Sequence, residues 1–235
     1  MRVAVIPARG GSKRIPRKNI KLFRGVPIIA WSIKAALESK CFDRIIVSTD
    51  DPEIAELSQA HGAETPFMRP PDLADDFTGT IPVIAHATTW LQQNGEEPTE
   101  VCCIYAAAPF LLPSDLKLGL DKLLSSGAEY AVSVSTYSSP IQRAICITSD
   151  MRLEMLQPEN FYARSQDLEQ TWHDAGQFYW GKSRAWLSEK PLFTRDSAPV
   201  PLPRHRAQDI DTDEDWARAE LMFWALKQQG TISDV

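Results

Sequence analysis

The fold is decided by Val3-Ala4-Val5-Ile6-Pro7-Ala8-Arg9-Gly10-Gly11-Ser12-Lys13-Arg14-Ile15-Pro16-Arg17-Lys18-Asn19-Ile20. An apolar run enters a loop with two adjacent glycines and a crowd of cations: Arg9, Lys13, Arg14, Arg17, Lys18 and, just beyond, Lys21. The whole chain carries a formal net charge of −6, so the positive charge is concentrated here. Two readings fit. One is a solvated basic turn, because Gly/Ser clusters often mark loops and nothing more. The other is a polyphosphate cradle at the end of the first strand of an α/β sheet, with backbone N–H groups turned toward an anion and cations neutralising it. Placement directly behind an apolar strand favours the cradle. Neither G-x-x-x-x-G-K-[ST] nor G-x-G-x-x-G occurs in the stretch, so a Walker A loop and a dinucleotide fingerprint are excluded.

The rest of the chain alternates as a parallel sheet requires. Pro27 opens a helix whose Ile29, Ile33, Ala36 and Leu37 share one face. Residues 44–49 read as a buried strand ending in Asp50-Asp51. A helix over 52–60 follows, then a long loop over 63–79 that holds Met68-Arg69-Pro70-Pro71 and Asp75-Asp76. Structureless loops of that length are often functional. A helix over 80–93 leads to a central strand over 101–106 that ends in Ala106-Ala107-Ala108-Pro109, small residues that leave room for a ligand. The spacing predicts a helix over 114–125 with Ser114 as its cap, a strand over 130–135 and a return strand over 176–181. Residues 137–175 break the rhythm and read as an excursion of extended arms that asks for a partner chain. One α/β domain over 1–235, with 137–175 as its excursion, accommodates all of this.

Composition excludes several classes. Net acidity without a basic stripe argues against nucleic acid as a partner. No apolar run reaches the length of a membrane span, and the N-terminus enters strand-like sequence at once, so a cytoplasmic protein with no membrane attachment is expected. Cys41, Cys102, Cys103 and Cys146 contain no C-x-x-C and read as reduced thiols, Cys102 and Cys103 on opposite faces of one strand. The histidines show no zinc-ligand spacing.

The second chemical feature is Gln208-Asp209-Ile210-Asp211-Thr212-Asp213-Glu214-Asp215. Thr212 and Asp215 stand in the relation of a capping box, and the acidic residues after Thr212 suit a helix N-terminus. Asp209 and Asp211 precede that cap. Two apart in an extended segment, they project to the same face and form a hard-oxygen pair suited to Mg²⁺. A cationic loop and a carboxylate pair are the complementary demands of a nucleoside triphosphate with its metal.

Ile6-Pro7-Ala8-Arg9-Gly10-Gly11-Ser12-Lys13, with Ile15-Pro16 and Lys18-Asn19, resembles the N-terminal motif of the CMP-sugar synthetases, the acylneuraminate cytidylyltransferase family. The stretch 41–50, Arg69-Pro70 and Asp209-Ile210-Asp211-Thr212 match it too. Segments 14–20, 104–110 and 172–180 resemble the branch acting on pseudaminic acid. The resemblance implies a Rossmann-like nucleotide-diphospho-sugar transferase fold, mostly parallel sheet flanked by helices, with an extended dimerisation arm over 137–175. It implies a homodimeric enzyme that activates a nine-carbon 2-keto acidic sugar with CTP and releases pyrophosphate. By the same resemblance, Arg9, Gly10, Ser12, Lys13, Lys18 and Asn19 would hold the CTP phosphates, and Arg69 and Thr80 the cytosine and ribose. Asp209 and Asp211 would hold Mg²⁺, and Tyr105, Arg143, Arg164 and Gln177 would meet the sugar. Arg9, Lys18 and Asp211 would carry the catalysis. Tyr105 stands where sialic acid enzymes have Gln, which favours pseudaminic acid over sialic acid. Sialic, legionaminic or Kdo activation and a non-catalytic nucleotide-binding protein are the alternatives.

Overall fold

The computed structural model describes residues 1–233. In chain order the strands are β1 (Arg2–Pro7), β2 (Leu22–Phe23), β3 (Val26–Pro27), β4 (Arg44–Ser48), β5 (Glu100–Ile104), β6 (Tyr130–Thr136), β7 (Ile145–Ile147), β8 (Leu153–Met155), β9 (Trp172–Lys182) and β10 (Ser197–Pro201). The helices are α1 (Ile28–Ser39), α2 (Pro52–Ala60), α3 (Thr80–Gln93), α4 (Pro113–Ser126), α5 (Ser183–Leu187) and α6 (Asp213–Gln228). The central sheet runs β10-β6-β9-β5-β1-β4. Its pairings are parallel except those of β9, which is antiparallel to both β5 and β6.

Strand alternation divides the core. Ala4, Ile6, Cys102 and Trp180 pack with Ile29 and Ile33 of α1 and Leu116 and Leu120 of α4 on one face. Val3, Val5, Cys103 and Tyr179 pack with Ile84 and Leu91 of α3 and Trp186 of α5 on the other. Burial of each valine, isoleucine and leucine among them contributes roughly 1.5–3 kcal/mol, and covering both faces of a largely parallel sheet is what the buried runs require. Cys102 and Cys103 therefore face opposite layers. All four cysteines are free thiols.

A third cluster positions the site. Phe23 sits among Trp31, Phe110, Trp216 and Phe223, meeting each ring edge-to-face with centroids 5.6–6.4 Å apart. Ile15 of the basic loop and Ile210 of the acidic segment are both fully buried in this cluster. With Ile210 pointing inward, the side chains before and after it, Asp209 and Asp211, turn the other way. Thr212 caps α6 as expected, accepting from the Asp215 N–H at 3.1 Å while Asp215 accepts from the Thr212 N–H at 2.9 Å.

Two local expectations are corrected. The cap of α4 is Leu112, not Ser114: Pro113 occupies the first helical position, and Asp115 accepts from the Leu112 N–H at 3.1 Å. A proline there has no N–H to leave unpaired, so the cap falls two residues earlier than Ser114 suggested. The return strand begins at Trp172 rather than Gly176, because residues 172–174 pair with Val134, Ser135 and Thr136 of β6. Between β6 and β9 lie the antiparallel hairpin β7–β8 and short helical turns, with Ile145, Ile147, Leu153, Leu156, Phe161 and Tyr162 exposed.

Candidate active site

The C-terminal ends of β1, β4 and β5 open on the same edge of the sheet, where open α/β sheets bind ligands. Two adjoining hollows share Arg9, Lys18 and Asn19. The inner one, about 210 Å³, adds Arg69, Thr80, Tyr105, Ala106, Ala107 and Asp209. The outer one, about 470 Å³, adds Ser12, Lys13, Arg14, Asp76 and Asp211.

The two ends of the chain meet at Lys18. Its Nζ donates to the Ile210 carbonyl at 2.8 Å and to Asp211 Oδ1 at 3.2 Å. Arg14 Nη2 reaches Asp211 Oδ2 at 2.9 Å. Asn19 Nδ2 donates to the Arg9 carbonyl at 2.9 Å and closes the loop on itself. Burial, then the neighbouring Asp211 charge, pushes the Asp209 carboxyl up from its ordinary value, with Lys18 opposing. Two carboxylates crowded in this way suit a divalent cation that completes its shell with water and phosphate oxygens. Among the described residues no cluster of three or more His, Cys, Asp or Glu forms a self-sufficient metal cage.

The six loop cations do not act as one set. Arg9, Lys13, Arg14 and Lys18 line the cleft. Arg17 leaves it: its guanidinium clasps Asp51 and Glu53, and Asp51 also caps α2 through the Glu53 and Ile54 N–H groups at 3.0 Å. The hydrogen bond from the Arg17 guanidinium, with the backbone N–H of Ile54, holds the Asp51 carboxyl below its ordinary value. Lys21 lies over the Trp216 ring, 4.4 Å from its centroid. Gly10 likewise differs from an anion-facing glycine. Its N–H donates to Asp50 Oδ1 at 2.9 Å, and a Cβ there would sit 2.6 Å from Asp51 Oδ2. The glycine is needed for the close approach of β1 to the end of β4.

Arg69 is 6% exposed, donates Nε–H to Ser48 Oγ at 3.1 Å and also bonds the Ser48 carbonyl. Burial pulls its guanidinium down to about 10, with Asp50 opposing. Thr80 and Tyr105 line the inner hollow beside it. Gln177 does not line the cleft: it is buried and its amide donates to the Arg206 carbonyl. Arg143 and Arg164 are exposed on the 137–171 excursion and line neither hollow, and Arg164 pairs with Asp167 at 2.7 Å.

Sequence reading passed over three features. Asp76 bonds Arg9 at 2.6 Å and pairs with Lys13, occupying the cations a triphosphate would need. The acidic doublet facing a basic loop was a usable signal. Arg206 and Asp115 form a buried ion pair three residues before Asp209. Tyr179 and Asp174 stand behind Tyr105. Nothing in the sequence separates Arg206 and Asp115 from ordinary core and surface residues, and Asp174 and Tyr179 stood out only as part of the 172–180 resemblance, without a role.

A family model described as cytidylyltransferase matches residues 3–225. The chain belongs to the cytidylyltransferase family. A pseudaminic acid cytidylyltransferase of Campylobacter jejuni is 41% identical over 94% of this chain and 95% of its own length. A CMP-N,N'-diacetyllegionaminic acid synthase of Legionella pneumophila is 33% identical over 98% of this chain and 99% of its own. Among solved structures, a CMP:2-keto-3-deoxy-manno-octonic acid synthetase complexed with CTP superposes with a TM-score of 0.69 over 95% of this chain and 98% of its own. At 16% identity that likeness establishes the fold. The family and fold implied by the loop motif are those found.

Proposed function

We propose that the chain is a CTP-dependent cytidylyltransferase that activates pseudaminic acid. The sugar's anomeric oxygen attacks the α-phosphorus of CTP, a new phosphorus–oxygen bond forms, the bond to the β-phosphate oxygen breaks, and pyrophosphate leaves. The hydroxyl proton goes to solvent. The observation that carries this reading is the meeting of Lys18 with Asp211 in a cleft lined by Arg9, Lys13 and Arg14.

Arg9, Ser12, Lys13 and Asn19 would bind the triphosphate, with Gly10 shaping the loop behind them, and Arg69 and Thr80 would flank the nucleoside. Lys18 would stabilise charge developing on the α-phosphate, and removal of such a donor costs roughly 10²–10³ in kcat. Asp209 and Asp211 would hold Mg²⁺, which supplies charge neutralisation for the triphosphate. Among the described residues, no helix is long and apolar enough to cross a membrane. Free thiols and the need for CTP fit a cytoplasmic setting.

The exposed apolar residues of the β7–β8 hairpin support a homodimer whose 137–171 arm reaches the partner, and Arg143 and Arg164 would then approach the partner's cleft. Light scattering at assay concentration reads the dimer. The function is tested by measuring pyrophosphate release from CTP and Mg²⁺ with pseudaminic, legionaminic, sialic and Kdo acids in turn. Turnover with pseudaminic acid, abolished in Asp211→Ala, is expected. Turnover with sialic acid alone overturns the sugar assignment, and CTP binding without any turnover favours a nucleotide-binding protein.

A further inference from the structure

Between Asp174 and Tyr179, five steps along β9 answer only two along β6, from Val134 to Val132. The surplus residues form a bulge that passes through Gly176 at φ +62°, in the left-handed region. The bulge folds Asp174 back onto Tyr179. One Asp174 oxygen accepts from the Gly176 N–H at 2.9 Å, and the other accepts from the Tyr179 hydroxyl. The Tyr179 hydroxyl lies 2.9 Å from that of Tyr105, with the rings edge-to-face at 5.5 Å. Tyr179 is buried, whereas Tyr105 lines the inner hollow of the cleft.

The direction of this chain follows from proton counting. An ionised carboxylate only accepts, and each phenol has one proton to give. The Tyr179 proton goes to Asp174, so at the next contact Tyr179 accepts and Tyr105 donates. Burial pushes the Tyr105 phenol up to about 12 and raises Tyr179 as well, so both protons are in place at neutral pH. The Tyr105 proton therefore points inward; the oxygen also bonds the Thr80 side chain, and its remaining lone pair faces the cleft.

We propose that Asp174, acting through Tyr179, is a positioning residue that fixes Tyr105 as a hydrogen-bond acceptor and so selects a sugar presenting an N–H or O–H donor at that point. The proposal rests on the reading of this cleft as a sugar-activating site and adds what one wall of it demands. A site whose buried polar group is wrongly paired discriminates strongly, because the unpaired group cannot be compensated by water.

Asp174→Asn tests the direction. The Gly176 N–H can only donate, so it keeps the amide oxygen, and the amide NH₂ is left facing Tyr179. The chain then reverses: Asn donates to Tyr179, Tyr179 to Tyr105, and Tyr105 donates into the cleft against the sugar's own donor. The KM for the sugar is expected to rise about 10- to 100-fold, with the KM for CTP unchanged. Adding Tyr179→Phe to Asp174→Asn breaks the reversed chain, frees Tyr105 to accept again, and should recover much of the loss. A structural role predicts no such recovery. An unchanged sugar KM in Asp174→Asn, equal rises for sugar and CTP, or a double variant no better than the single one overturns the proposal. If Asp174→Asn does not fold, Tyr179→Phe alone decides: a rise of about 3- to 10-fold in sugar KM alone is expected, and no rise overturns it. Wild-type protein run alongside separates the two levels, because absence of turnover there overturns the sugar-activating reading itself.

Discussion

Arg206→Met should unfold the molecule at markedly lower temperature and disable the acidic segment. Arg206 and Asp115 have side chains 9% and 7% exposed. Arg206 Nη2 donates to Asp115 Oδ1 at 3.0 Å, its Nη1 to Oδ2, and Nη1 also to the Phe110 carbonyl at 3.4 Å. Methionine fills the stem's volume but leaves Asp115 with only the Leu112 N–H for company. Stranding one member of a buried pair costs about 3–5 kcal/mol. For a chain of this size each kcal/mol is roughly 2–4 °C in Tm, so a fall of ~6–20 °C is expected by scanning calorimetry. Residues 204–211 hang from this pair, so turnover measured well below the variant's Tm should also drop, by about tenfold for a slight misplacement of Asp209 and Asp211. Adding Asp115→Asn removes the stranded charge and should restore more than half of the lost stability. A Tm within about 2 °C of wild type, or a double variant as unstable as Arg206→Met, would refute the reasoning.

Arg184, with Lys190 and Lys182, holds the Glu129 carboxyl down to about 2 from an ordinary 4.5. A depressed carboxylate contributes stability above its unfolded value and loses it as pH falls through the folded value. Glu129→Gln should therefore be less stable at pH 7, by ~1–2 kcal/mol after screening of the exposed cations, and match wild type near pH 2 in denaturant titrations. Asp76→Asn frees Arg9 and Lys13 and should lower the KM for CTP roughly two- to five-fold; a higher KM would make Asp76 a ligand aid rather than a competitor. Cys41, Cys102 and Cys103 are buried, and burial raises the Cys102 and Cys103 thiols. A thiol reagent should titrate Cys146 alone in the folded protein and all four cysteines in guanidinium.

Local pattern made much of this legible. The strand–loop–helix alternation, the Thr212–Asp215 box and the outward turn of Asp209 and Asp211 around Ile210 all follow from nearest-neighbour chemistry. What was hidden depends on distant packing. Lys18 meets Asp211 because Ile15 and Ile210 enter one aromatic cluster around Phe23, a contact no periodicity announces. Arg17 looked like Lys18 in the sequence, yet a left-handed backbone at φ 56° turns it to α2. The bulge that stacks Asp174 behind Tyr179 exists only in the register of β9 against β6. Ser114 lost its expected capping role to Leu112 because Pro113 takes the first helical position, a local cue that the polar side chain outweighed.

The most direct measurement is phosphorus NMR of CTP, Mg²⁺ and pseudaminic acid incubated with the protein. Loss of CTP with equal growth of a phosphodiester signal and pyrophosphate, absent in Asp211→Ala, is the predicted result. Formation of CDP and orthophosphate, or CTP left intact beside a folded and dimeric protein, would contradict it.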